Sequence, residues 1–406
     1  MSRFLFLVKV LVALFGLFHV NSAAAASPSS FKDGVLFNCG RSTNQVLHKQ
    51  MIEFLDELQI ERQHYSLYFS SNGDQMGFVL STPADDHNTL SLSQRPEYNI
   101  KPDWIRLPID TKDKPVVSKK EIVLSLFQHG RLTEFKREAC DIQSFKDHIG
   151  IRQNIVAWIE KKQFIFPGRN PSAFNPVYWK DYARWKTDPI KYGPIGVQAI
   201  HDIFTTRGYR MGCLTAAKVS MLHGITDYYT RIRPDEFRLK KAIESLFTYG
   251  EPLQDPDPGF IWKDFRDTTQ AELSRTEGKF LEATIEVSKF NFVPGDWVYF
   301  KNTHLASSRN RGDEGSNAIY FGGNNFNNFY NLPFSPDLAG KTYPSTYTTE
   351  QKVSIIASWG GKVPPGKVVD PNLFSRLMES PNRDQDGYII YAGGFLLRHR
   401  LTPRVF

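Results

Sequence analysis

The sequence predicts an α+β fold in which a helix carrying cysteine at its first turn packs on an antiparallel sheet, behind an N-terminal α+β extension. Three observations predict it. Apolar residues recur at helical spacing between about residues 119 and 247. Short strand-like runs take over from residue 284 onward. Between them, Cys213 stands where a glycine-ended loop meets a helical pattern, in Tyr209-Arg210-Met211-Gly212-Cys213-Leu214-Thr215-Ala216-Ala217. A thiol at that place feels the partial positive charge of the unpaired backbone N–H groups, which favours the thiolate.

Residues 1–26 read as a secretory signal: Arg3 and Lys9 give the charge, residues 10–18 the apolar stretch, and Ala24-Ala25-Ala26 a small-residue cleavage site. The mature chain is expected to begin near Ser27 and to be secreted or periplasmic. Lys9 interrupts the apolar run and no later stretch is apolar enough to span, so no stable membrane insertion is expected. Residues 27–115 form an N-terminal α+β region without an assigned role, with a helix near 50–58, a strand at 66–69, and a Pro/Asn/Ser/Asp-rich loop or linker over 85–113. Residues 116–195 form a helical, aromatic-rich connecting region with helices over 119–127 and 147–161, the second carrying Ile149, Ile151, Ile155, Trp158 and Ile159; the pattern breaks at 167–176.

Residues 196–406 form the last unit. Helices are expected over 197–204, from Cys213 to Gly224 with Leu214, Ala217 and Met221 on one face, and over 239–247. Strands are expected over 284–287, 297–300, 318–321, 353–356 and 387–397. Helices before strands, with cysteine at a helix start, is the layout of papain-type thiol enzymes.

Composition narrows the partners. The net charge is +7, but basic residues alternate with acidic ones, and Lys119-Lys120 and Lys161-Lys162 read as solvated faces, so no nucleic acid is expected. No paired His/Cys spacing suggests a metal. Asn382-Arg383-Asp384-Gln385-Asp386-Gly387 imitates the opening of a calcium loop, yet the twelfth position is Gly393 where a bidentate Glu belongs. Gly360-Gly361-Lys362 lacks phosphate-loop spacing. No cofactor is expected. Three cysteines in an oxidising compartment leave one thiol over. The economical pairing is Cys39–Cys140 with Cys213 free; the spacing leaves open that Cys39 is the odd one.

The segments Ala199-Ile200-His201-Asp202-Ile203-Phe204, Cys213-Leu214-Thr215-Ala216, Phe292-Val293-Pro294-Gly295-Asp296-Trp297-Val298-Tyr299-Phe300-Lys301-Asn302 and Gly315-Ser316-Asn317-Ala318-Ile319-Tyr320-Phe321-Gly322 resemble, in order and spacing, segments of the bacterial spore-coat protein-glutamine gamma-glutamyltransferases, transglutaminases within the NlpC-like papain-fold superfamily. The resemblance implies a papain-like/NlpC-like fold and a Cys213 thioester. It further implies Gln–Lys isopeptide crosslinks on protein substrates, formed without calcium. The departures are specific. Ser316 stands at the family's assisting glutamate, Gly212 at an acidic residue before the cysteine, and Asn327 or Asn328 near a later histidine. Glu314 is the first substitute for the assisting group, His304 the second, and Asp313 a third. Trp297, Tyr299, Tyr320, Trp179 and Trp185 could wall a water-poor channel, or form plain core. Three functions follow: a transglutaminase, a cell-wall cysteine peptidase or amidase, or a binding protein that has lost catalysis.

Overall fold

The first sheet is built around β1 (Gly34–Asn38), which pairs antiparallel with β3 (Gln75–Leu80) and parallel with β6 (Leu132–Lys136). With β2 (Tyr65–Phe69) at the edge, the order is β2-β3-β1-β6. A parallel pair needs a long crossover, and this one carries α1 (Arg41–Glu57), the hairpin of β2 and β3, and α2 (Lys119–Phe127). The sheet therefore draws strands from both sides of residue 115. Phe37, Phe78, Phe127, Phe135 and Phe145 pack ring to ring against it, each such pair contributing about 1 kcal/mol beyond the burial of its area. This computed structural model describes residues 31–165, 172–180, 184–185, 193–248, 281–284, 287–288, 290–302, 309, 315–327, 329, 346–359, 367–368, 382–383, 389–390 and 395–403.

Residues 85–113 are not a free linker. Leu90, Leu92, Tyr98 and Leu107 are buried. The short strands β4 (Asp103–Ile105) and β5 (Lys114–Val116) pair. Thr89 ties the segment to distant chain: its N–H donates to the Phe290 carbonyl at 3.1 Å, and its Oγ1 accepts from the Phe292 N–H at 2.7 Å. Its polar composition concealed the apolar anchors that hold it down.

Cys39 and Cys140 form a disulfide, with Cα atoms 5.4 Å apart across 101 residues, and Cys213 is free. The bond pins the end of β1 to the turn before α3 (Ile142–Lys161), which starts where Asp141 accepts the Ser144 N–H at 2.7 Å. α3 is buried from Ser144 to Ile159 apart from Lys146 and lies between the first sheet and the elements that follow. These are α4 (Gly193–Thr205), α5 (Cys213–Asp227), extended by one wide turn through residues 228–232, and α6 (Glu236–Thr248). The small pair β7 (Trp179–Lys180) and β8 (Arg184–Trp185) precedes α4.

The second sheet is antiparallel throughout, in the order β13-β12-β11-β10-β16-β9. Its strands are β9 (Leu281–Thr284), β10 (Trp297–Asn302), β11 (Gly315–Gly322), β12 (Asn325–Asn327), β13 (Thr346–Thr348) and β16 (Phe395–Pro403). Trp297, Ile319 and Phe321 join the core shared with α3 and α5. On the other face, Phe292, Phe300, Tyr320 and Phe326 form an aromatic cluster with centroids 5.1–5.4 Å apart. A helix headed by cysteine packed on an antiparallel sheet is the layout the sequence predicted.

Three expected strands differ. Of the run over 284–287, Thr284 ends β9, residues 285–286 lie outside the described residues, and Val287 is not in a strand. The run over 387–397 resolves into β15 (Ile389–Ile390), paired with β14 (Asn382–Arg383), and the longer β16. The run over 353–356 is helical, inside α7 (Thr349–Trp359). Its β-branched residues suggested a strand, but a capping box decides otherwise. The Thr348 N–H donates to Gln351 Oε1 at 2.8 Å, and Thr348 Oγ1 accepts the Gln351 N–H at 3.3 Å. Among the described residues, no helix is long and apolar enough to cross a membrane.

Candidate active site

Where α5 begins is set by how it packs on α3. Gly224 lets the two helices approach closely: a Cβ there would lie 2.2 Å from Ile155 Cγ1 and 2.9 Å from its Cα. Asn154 Nδ2 donates to the Gly224 carbonyl at 2.9 Å and to Asp227 Oδ2 at 3.0 Å, and Trp158 Nε1 donates to the same carboxylate at 2.8 Å. Burial alone would oppose ionisation of Asp227, but Arg231 at 2.6 Å, with His223 and Trp158, holds its carboxyl below the ordinary range. A charged carboxylate with these partners fixes the C-terminal end of α5. From Thr215 to Asp227 the helix is buried. Cys213 and Leu214, its first two residues, are half-buried.

The sheet is fixed with equal firmness on the other side of the thiol. In Pro294-Gly295-Asp296, Gly295 sits at φ +86°, a conformation that side chains rarely adopt. Asp296 Oδ2 accepts the Val293 N–H at 2.9 Å. Arg131 and Arg152 both bridge the buried Asp296, Arg152 at 2.9 Å. Burial pushes the Asp296 carboxyl up, but the two guanidiniums outweigh it and hold it below its usual range. Burial, then Arg152, depress His148 well below its ordinary value, so it is neutral and its Nε2 accepts from Arg152 Nε at 2.9 Å. Arg152 also reaches Thr402 in β16. The Pro-Gly-Asp segment is thus a structural lock that joins β10 and β16 to α3.

Between these anchored elements Asn317 of β11 meets the thiol. Its Nδ2 lies 3.3 Å from Cys213 Sγ, while its Oδ1 accepts from the Trp297 indole Nε1 at 2.8 Å. An indole N–H can only donate, so it fixes the carboxamide with oxygen toward Trp297 and the NH2 group toward sulfur. Asn317 pairs across the strands with Tyr299, which is half-buried beside it. Ser316, at the place of the family glutamate, pairs with Phe300. Alternation along the strand turns it to the face of Tyr320, away from the thiol.

The start of α5 adds backbone donors. An α-helix leaves the N–H groups of its first turn without intrahelical partners. Gly212 caps this one without a side-chain hydrogen bond, and a Cβ at Gly212 would meet no heavy atom within 4 Å. Lys352 of α7 completes the electrostatics. Burial pushes its ammonium down to about 8, and the charge interaction with Cys213 acts in the opposite direction. Sequence reasoning missed Lys352 because it misread α7, and missed Asn317 because motif alignment names a strand without saying which of two adjacent residues faces the thiol.

Of the predicted catalytic residues, Cys213 occupies the expected helix start; Glu314, His304 and Asp313 lie outside the described residues. Asn327 is buried, and its Oδ1 accepts the Ile319 N–H at 2.6 Å, a contact that ties β12 to β11; Asn328 lies outside the described residues. Among the proposed channel walls, Trp297, Tyr320 and Trp179 are buried, Tyr299 borders the site, and the Trp185 side chain is outside the description.

No curated protein sequence matches the chain. A transglutaminase from Geobacillus stearothermophilus, solved without its C-terminal extension, is similar at 16% identity with a TM-score of 0.34, over 65% of this chain and 95% of that one. The assignment rests instead on sequence: a family model for protein-glutamine gamma-glutamyltransferase matches residues 108–331, which is more than half of the chain and includes α3, the Cys213 helix, the Pro-Gly-Asp lock and β11. The chain belongs to the protein-glutamine gamma-glutamyltransferase family.

Proposed function

We propose that this protein is an exported transglutaminase that joins glutamine to lysine on protein substrates through a thioester on Cys213, without calcium. The observation that carries the reading is a free thiol at the start of a buried helix, with a side-chain amide donor 3.3 Å from its sulfur. The thiolate attacks the glutamine carboxamide carbon, and the π pair moves onto oxygen. Collapse expels nitrogen, which leaves as ammonia with the proton the thiol gave up. A lysine amine then attacks the thioester and expels Cys213, whose sulfur takes back a proton. Glu314 or His304 supplies the assisting base in this reading. Export is supported by the sequence of residues 1–26 and by the Cys39–Cys140 disulfide, a bond that persists in oxidising compartments.

The experiment offers the full mature chain a fluorescent primary amine and casein in the presence of EDTA, with Cys213→Ala alongside and a peptidoglycan digest as a second substrate. Amine incorporation that survives EDTA and vanishes in Cys213→Ala is the expected result. Cleavage of muropeptides without amine incorporation, or silence on both substrates, overturns the proposal in favour of a hydrolase or a binding protein.

A further inference from the structure

Asn317 presents to the sulfur a group that can only donate. The Trp297 indole occupies Oδ1 at 2.8 Å, so the NH2 group faces Sγ at 3.3 Å. Trp297 is itself buried in the core shared with α3, and Asn317 is 5% exposed. The amide is therefore held in one orientation before any substrate arrives. A fixed amide cannot act as a base for the thiol. What it can do follows from where charge moves during acyl transfer.

In the attacking thiolate the negative charge is on sulfur. As the bond from Sγ to the carbonyl carbon forms, that charge leaves sulfur and appears on the carbonyl oxygen, two bonds away. A donor already within hydrogen-bond reach of Sγ needs only a small shift of substrate to stand within reach of that oxygen. The first-turn backbone N–H groups of α5 are further donors at the same helix start, and a Cβ at Gly212 would meet no heavy atom within 4 Å. We propose that the Asn317 side-chain amide is a catalytic oxyanion donor for acyl transfer at Cys213, and that the Trp297 indole is the positioning group that keeps its NH2 turned toward the reacting carbonyl. The proposal rests on Cys213 being the nucleophile and does not depend on whether the acceptor is an amine or water. It also accounts for Ser316: the family's acidic place turns away from the thiol, and the adjacent strand position meets it.

Two reagents separate this role from the others. Acylation of Cys213 by p-nitrophenyl acetate passes through a tetrahedral oxyanion, whereas alkylation by iodoacetamide is a direct displacement that forms none. Both are followed on full-length protein, the first by nitrophenolate release in the pre-steady state and the second by intact mass. Asn317→Ala is expected to slow acylation by on the order of 10²-fold, while alkylation stays within a few-fold of wild type and so reports an intact, reactive thiol. Trp297→Phe keeps an aromatic ring but removes the pyrrole ring with its N–H; it should slow acylation by a smaller factor, again with alkylation preserved. If Asn317→Ala changes acylation and alkylation equally, or changes neither, the oxyanion role is wrong. Unchanged acylation in Trp297→Phe overturns the positioning role. A Cys213→Ala protein that still releases nitrophenolate at the wild-type rate removes the nucleophile assignment, and absence of amine incorporation in wild type strikes the crosslinking reading while leaving this comparison intact.

Discussion

Glu121 of α2 accepts a hydrogen bond from the Gly323 N–H, 2.7 Å away, at the turn between β11 and β12. The carboxylate stands three residues after Ser118, which caps α2 by accepting the Glu121 N–H at 3.1 Å. In a reciprocal capping box that side chain would return to the N-cap; here it reaches across to the sheet that carries Asn317. The Glu121 side chain thus makes a contact between the N-terminal half and the thiol-facing strand.

That contact has a pH dependence. Burial raises the Glu121 carboxyl to about 7, against a smaller opposing effect of the Gly323 N–H. The folded protein keeps a proton that the unfolded chain releases near 4.5, so stability falls as pH rises from about 4.5 to 7 and is lowest above that window. Glu121→Gln keeps the acceptor and removes the charge. Its melting temperature should exceed wild type at pH 8, by up to about 3 kcal/mol in stability, and match it at pH 4. Equal differences at both pH values would rule out titration as the cause.

Gly224→Ala tests the α3–α5 contact. Alanine favours a helix over glycine by about 1 kcal/mol, but its Cβ would lie 2.2 Å from Ile155 Cγ1. Such overpacking costs about 1–3 kcal/mol, so the clash should win. Chemical denaturation is expected to show a net loss, and the Gly224→Ala, Ile155→Ala double variant should lose less than the sum of the two single changes. A Gly224→Ala protein more stable than wild type would mean that α5 is free to shift.

Asp296→Ala removes the shared partner of Arg131 and Arg152, both of them buried. Two guanidiniums left without their carboxylate should cost about 3–5 kcal/mol. Urea unfolding measures the loss; a change within 1 kcal/mol, on the scale of an exposed pair, would show that water reaches the cluster.

Lys352 carries the opposite pH signature to Glu121. Its folded value, pushed by burial to about 8 from 10.5, means that the unfolded chain holds a proton that the folded protein releases between those values. Stability therefore rises with pH across that window. Lys352→Met should stabilise the protein at pH 7 by on the order of 3 kcal/mol, with the gain fading above pH 10. Removing the cation that interacts with Cys213 should also slow alkylation of Cys213 at pH 7. Faster alkylation in the variant would contradict that coupling.

Much of this was legible in the sequence, and the parts that were not have physical reasons. Helical spacing located α2, α3 and α5 because each is buried along most of its length, and α6 by the same spacing, with Ala242 and Ile243 buried. The placement of Cys213 at a helix start followed from Gly212 and the loop before it. The first sheet was not legible as a sheet: β1 and β6 pair from almost 100 residues apart, and neither strand carries a turn signal toward the other. Val353, Ile355 and Ile356 suggested a strand because β-branching outweighed the Thr348–Gln351 capping box upstream of them. At the site, alignment pointed to Ser316, whereas the pleat of β11 brought Asn317 to the sulfur.

The most direct test of the central claim is intact-mass analysis of acid-quenched protein after brief mixing with a glutamine-containing peptide and no amine, in wild type and in Cys213→Ser. The account expects wild type to gain the mass of the peptide less ammonia, on a tryptic fragment containing Cys213, and to lose it when a lysine analogue is added. Absence of that adduct with ammonia still released, or the same labile adduct in Cys213→Ser, would contradict a thioester on Cys213.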